Sequence, residues 1–146
     1  MPGERLGFRV AQIEVVKEFA AALDRQDYEV AGGLLAPDCT YRVRSKVLVG
    51  PDAIIGSYKD SAQWGAAHID SVEYRSRVEP IADSRFVIRF EDCIQHLGKN
   101  LTHATQQLVE LNASGKIRQI EHQDLPGEVE ALEAFFRAAG IDRGSR

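Results

Sequence analysis

Four histidines and a scatter of aspartates are the residues whose types and spacing could move protons in this sequence. A carboxylate that holds one imidazole nitrogen fixes the ring's tautomer and raises the basicity of the other nitrogen. Strand parity gathers such residues. If Gly98 pairs with Leu101 across a Lys99-Asn100 turn, His96 lies opposite His103, Ile94 opposite Thr105 and Asp92 opposite Gln107. If Leu111 pairs with Lys116 across the following turn, Thr105 meets His122, His103 meets Asp124 and Gln107 meets Ile120. The expected outcome is a row of His96, His103 and Asp124 beside a row of Ile94, Thr105 and His122. All four histidines, His68 included, fall on faces that otherwise carry apolar residues. An unpaired polar group buried there would cost about 1–3 kcal/mol, so a wet pocket is expected to serve them. Asp124 also has a structural reading, because it precedes Leu125-Pro126 and could cap the closing helix.

The elements that must position these residues can be read from periodicity. Between Arg9 and Leu23, Ile13, Val16, Ala20 and Leu23 recur at helical spacing, with Val15 and Phe19 widening the stripe. Asp27 offers an N-cap for a short helix over Tyr28 to Leu35, which Gly32 and Gly33 weaken by about 1 kcal/mol each. Cys39 to Val49 reads as a strand or strand pair. Pro51 and Asp52 then open a third helix reaching about Ala67. From His68 the period becomes two. Val72, Tyr74, Ser76 and Val78 share a face with Phe86, Ile88, Phe90, Asp92 and Ile94 of the next strand, across an Ala82-Asp83-Ser84 turn. Strands carrying His103 to Leu111 and Lys116 to Asp124 follow, and Pro126 opens a closing helix stopped by Gly140. Helices segregated from an antiparallel sheet make an α+β domain.

Composition bounds the reading further. A chain of 146 residues fits one domain spanning 1–146, with residues 1–8 and 141–146 expected as flexible tails. A net charge of -4 argues against a nucleic-acid partner, which would call for a basic face. No apolar run suits a membrane span, and the amino terminus lacks a signal-peptide core, so a cytoplasmic protein without a membrane partner is expected. Cys39 is placed on the pocket face and Cys93 on the opposite one, so no internal disulfide is expected.

The stretch VVKEFAAALDRQDYEVAGGLLAPDCTYRV, followed by VGPDAIIGSY, resembles the opening of the nuclear transport factor 2-like superfamily, including SnoaL-type polyketide cyclases. The hairpin LVELNASGKIRQI is similar to that superfamily too. The resemblance implies a strongly bent sheet whose concave face, closed by three helices, forms a deep pocket, with a convex side that often supports a homodimer. Compared with ketosteroid isomerase, the catalytic tyrosine falls on Phe19, the base aspartate on Val43 and the second aspartate near Gln107, which argues against steroid isomerisation by that mechanism. Compared with scytalone dehydratase, the dyad aspartate falls on Asp24, a pocket histidine on His68 and the dyad histidine on or near His103. The two water-orienting tyrosines fall on Leu23 and Val43, with Tyr41 two residues away on the same strand face.

The expected function is therefore small-molecule binding, with a cofactor-independent lyase or isomerase as the enzyme version. His103 would be the acid-base group, oriented by Asp24 or Asp124. His68 and Tyr41 would polarise a ligand oxygen, and His122 and Gln107 would position it. Histidine with Asp92 or Asp124 would suit zinc or iron in kind, yet the ligands come from separate strands without a His-Glu-x-x-His motif. No metal is expected. The rival expectation is a non-catalytic ligand-binding or dimerisation domain.

Overall fold

Apolar spacing marks the first helix from Arg9 onward, but the helix itself is longer. The computed structural model describes residues 2–141, with side chains from residue 11, and α1 runs over Pro2–Asp24. It thus takes in residues 2–8, which the sequence reading assigned to a tail. Of the expected tail at 141–146, only Ile141 lies within the described residues. Val16, Phe19, Ala20 and Leu23 form the buried stripe of α1. Asp27 caps α2 (Tyr28–Gly33), its Oδ1 accepting from the Val30 amide at 3.3 Å. The chain continues through β1 (Leu35–Val43), β2 (Lys46–Val49), α3 (Pro51–His68), β3 (Ser71–Ala82), β4 (Arg85–His96), β5 (Lys99–Leu111), β6 (Ile117–Asp124) and α4 (Glu128–Ala138).

The strands form one six-stranded curved sheet in the order β2-β1-β6-β5-β4-β3. Hairpins join β3 through β6 into the expected antiparallel meander. One pairing departs from an all-antiparallel sheet: β1 and β6 run parallel, Tyr41 opposite Ile120. The meander is long enough to bring β6 back beside β1, so the sheet's middle is built from residues some eighty positions apart.

Both expected hairpin registers are corrected. The β4–β5 turn is Leu97-Gly98, not Lys99-Asn100, and His96 pairs with Lys99. Leu97 and Gly98 have φ of 52° and 77°, the left-handed pair that a two-residue hairpin requires for its twist. The slide places Asp92 opposite His103, Phe90 opposite Thr105 and Ile88 opposite Gln107. Between β5 and β6, Thr105 pairs with Asp124 and Gln107 with His122. Both slides are even, so every side chain keeps its expected face while changing its neighbours.

The helix-facing side of the sheet holds two apolar clusters. The larger joins Phe19 and Ala22 of α1 and Ile54 of α3 to Tyr41, Ile88, Val109 and Ile120 of the strands. The smaller joins Ile69, Ile94, Leu132 and Phe136, with Trp64 packed against it. Each fully buried Ile or Phe contributes roughly 1.5–3 kcal/mol. Cys39 lies in the larger cluster, Cys93 is half-buried, and both are free thiols.

Candidate functional site

Between the two clusters the inner face turns polar. Cross-strand pairing lays out three rows: Tyr74, Asp92 and His103; Ser76, Phe90, Thr105 and Asp124; Val78, Ile88, Gln107 and His122. These rows carry two groups of polar side chains.

The first group is acidic. Asp24, the last residue of α1, accepts a 2.5 Å hydrogen bond from the Ser76 hydroxyl. Burial raises its pKa, and the Ser76 hydrogen bond offsets part of that rise. Asp92 is pushed up to about 6, first by burial and then by the Asp24 charge. Tyr74, directly opposite Asp92, is pushed up to about 12, by burial above all and then by Asp92. His103, on the other side of Asp92, is only 8% exposed. Its Nδ1 lies 3.5 Å from Glu128 Oε2, and the same oxygen accepts from the Ala104 amide at 3.1 Å. Strand β6 ends at Asp124, opposite Thr105, so the Glu128 carboxylate takes the Ala104 amide of β5 just beyond the end of β6.

The second group is a hydrogen-bonded chain across β6, β5, β1 and α3. Arg44 donates from Nε and Nη2 to Asp124, both at 3.1 Å. Asp124 Oδ1 lies 2.9 Å from His122 Nε2, and His122 Nδ1 lies 3.3 Å from Gln107 Nε2. Gln107 Nε2 also donates to the Tyr41 hydroxyl at 3.1 Å, and Gln107 Oε1 accepts from Tyr58 at 2.6 Å. Burial pushes Tyr41 up to about 12 and Tyr58 well above its ordinary value, so both remain neutral phenols. Partial burial raises Asp124, but hydrogen bonds from His122 and the Arg44 charge outweigh it and leave its pKa lowered.

The structure therefore brings together Tyr41, Gln107, His122 and Asp124 in one group, and Asp24, Asp92 and His103 in the other. The ring paired with Asp124 is His122, not His103. Asp124 is engaged by Arg44 and His122, and Gly127 rather than Asp124 stands at the N-cap of α4. The carboxylate beside His103 is Glu128. Two residues expected at the site are elsewhere: His68 is exposed, stacked on Trp64 at 4.5 Å, with Nδ1 2.8 Å from the Trp64 carbonyl. His96 accepts from the Asp70 amide at 3.2 Å, away from His103. Thr105 is half-buried between Phe90 and Asp124. Sequence reasoning did not single out Tyr58, Ser76, Glu128 or Arg44 for the site. Ser76 had a signal, since it interrupts an apolar alternation. Arg44 had none.

Two depressions of about 260 and 200 Å³ lie on the outer face of the sheet, the first around Arg85, Leu108 and Glu121, the second around Glu73, Cys93 and Thr102. Both lie on the face opposite the polar rows. Among the described residues, no three His, Cys, Asp or Glu side chains converge as a metal site, and no helix is long and apolar enough to cross a membrane.

No family model matches the chain, and no curated protein matches its sequence. Solved structures do match. A protein with a ketosteroid isomerase-like fold from Catenulispora acidiphila, solved with trimethylamine, is 18% identical, with 91% of this chain and 97% of that one covered and a TM-score of 0.63. TerC, co-crystallised with polyporic acid, is 15% identical over 87% of this chain and 98% of its own, with a TM-score of 0.66. A nuclear transport factor 2-like protein of unknown function from Cytophaga hutchinsonii is 15% identical, with 82% and 94% covered and a TM-score of 0.57. At such identities the likeness establishes the fold, and this chain has the nuclear transport factor 2-like fold.

Proposed function

We propose that the polar rows of the inner face bind a small organic molecule and that Asp92 and His103 transfer protons to and from it without a cofactor, as a lyase or isomerase would. The observation that carries this reading is the Asp92 carboxyl, raised to about 6 and set opposite a buried histidine. A group with that pKa can accept and return a proton near neutral pH. Burial, and then the flanking Asp24 charge, keep its pKa high; Tyr74 is a neutral donor beside it. Two half-buried carboxylates disfavour an anion, so the ligand is neutral or cationic. Binding of small molecules by proteins of the same fold, trimethylamine in one and polyporic acid in another, supports the ligand reading. The working form is a homodimer in a reducing compartment, with the outer sheet face between copies.

Screening neutral enolisable and dehydratable compounds by thermal shift, with product analysis of every hit, tests the proposal. A hit whose conversion falls at least 100-fold in both Asp92→Asn and His103→Ala, with binding retained in Asp92→Asn, is the expected result. Unchanged turnover in both variants would sink it. Glu128 and α4 beside His103 favour a second reading, a domain that binds ligand without chemistry. That reading predicts melting-point shifts with every ligand recovered intact. A monomer in gel filtration at micromolar concentration would remove the dimer.

A further inference from the structure

The amide of Gln107 sits among three partners that can each act either way round. Tyr58 Oη is 2.6 Å from Oε1, while Tyr41 Oη and His122 Nδ1 are 3.1 and 3.3 Å from Nε2. A phenol can donate or accept, and an imidazole nitrogen does one or the other according to whether it carries the proton. In this orientation both amide hydrogens are used, one on Tyr41 and one on His122 Nδ1. That arrangement closes only if His122 Nδ1 is bare and Nε2 carries the proton toward Asp124 Oδ1, 2.9 Å away.

Adding a proton to His122 Nδ1 breaks it, because two N–H groups would then face each other. Rotating the amide by half a turn restores every bond. Oε1 then accepts from His122 and from Tyr41, and Nε2 donates to Tyr58. No backbone need move. The Tyr41 and Tyr58 hydroxyls also influence each other's ionisation, so the three groups are one circuit.

We infer that Gln107 sets the hydrogen-bond polarity of the inner site, and that the proton on His122 selects between its two orientations. With His122 neutral, Tyr58 gives its proton to Gln107 while Tyr41 accepts from it and keeps its own proton. With His122 protonated the two phenols exchange roles. The charged and titratable groups around His122 are Asp124 on its own strand, Arg44 from the β1–β2 turn through Asp124, Tyr41 from β1 and Tyr58 from α3. With His122 neutral the Tyr41 proton is turned toward Tyr58, and with His122 protonated the Tyr58 proton is turned toward Tyr41, so the sense of the circuit reverses.

Neutron diffraction from deuterated crystals of the full chain tests this, because oxygen and nitrogen scatter differently and deuterons are visible. Two data sets are needed, at about pH 9 and at a pH low enough that both ring nitrogens of His122 carry deuterons. The expected result is Oε1 facing Tyr58 at high pH and facing His122 and Tyr41 at low pH. The same orientation in both, or a deuteron on Nδ1 at high pH, would overturn the inference. In solution, the Gln107 side-chain amide resonances should shift with the His122 titration, and become pH-independent over that range in His122→Phe. Neither readout needs a ligand. An amide that reverses in a protein binding no small organic molecule would refute the inner-face reading and leave the switch standing.

Discussion

Tyr58 makes the shortest contact to Gln107, 2.6 Å from its Oε1, on a ring wedged between Phe19 and Tyr41. Tyr58→Phe keeps the packing and removes one donor, leaving a buried carbonyl oxygen short of a partner. The expected loss is about 1–3 kcal/mol in chemical denaturation. Gln107→Leu should also destabilise, whereas the double variant should cost clearly less than the two losses added together, since it removes both halves of the bond. Strict additivity would mean that the hydrogen bond contributes nothing. At this scale the sequence was legible by face but not by partner. Parity placed Gln107, His122, Asp92 and His103 on the inner side. Which carboxylate meets which ring depends on register to a single residue pair, and on Glu128 and Arg44, which stand outside the strands.

The turns decide that register, and they are where the elements were least legible. The segment Leu97-Gly98-Lys99-Asn100 offers two candidate turns, and Asn looks the better turn former than Leu. The structure uses Leu97-Gly98, with Leu97 forced to a φ of 52°. A left-handed leucine costs roughly 1–2 kcal/mol. Leu97→Asn should therefore stabilise the protein by about 1 kcal/mol, since the side chain is 67% exposed and little packing is lost. A lower melting point would show that the leucine is held by contacts that outweigh its strain. The caps were easier to read, because they need only local sequence. Asp27→Ala should cost about 1 kcal/mol by removing the bond to the Val30 amide. Arg44 is a harder case: it too has a positive φ, 51°, and the β1–β2 turn that holds it there also aims it at Asp124.

For the molecule as a whole, alternation and helical spacing were enough to foretell the meander, the helices that cover it and the α+β class they make. They could not foretell that β6 returns parallel to β1, because nothing local encodes a pairing between Tyr41 and Ile120. Nor could they say that two apolar clusters, not one, would leave a band of half-buried acids between them. That band has a consequence for stability. Asp92 moves from an ordinary 3.8 to about 6 on folding, so the folded chain binds its proton more tightly than the unfolded one. Its contribution therefore favours folding at low pH and is lost as pH rises from about 3.8 through about 6. Asp24 is shifted the same way. Asp124, with a lowered pKa, works oppositely, but its stabilisation is lost only as pH falls below the ordinary carboxylate range. Between pH 4 and 7 the two inner aspartates set the sign. A shift of about two pKa units corresponds to on the order of 2–3 kcal/mol. Asp92→Asn should therefore gain on the wild-type chain by up to about that amount between pH 4 and pH 7. Urea midpoints at the two pH values measure it. A stability difference that is the same at both would mean that Asp92 titrates as an exposed carboxylate does, and the proton-transfer role proposed for it would go with it.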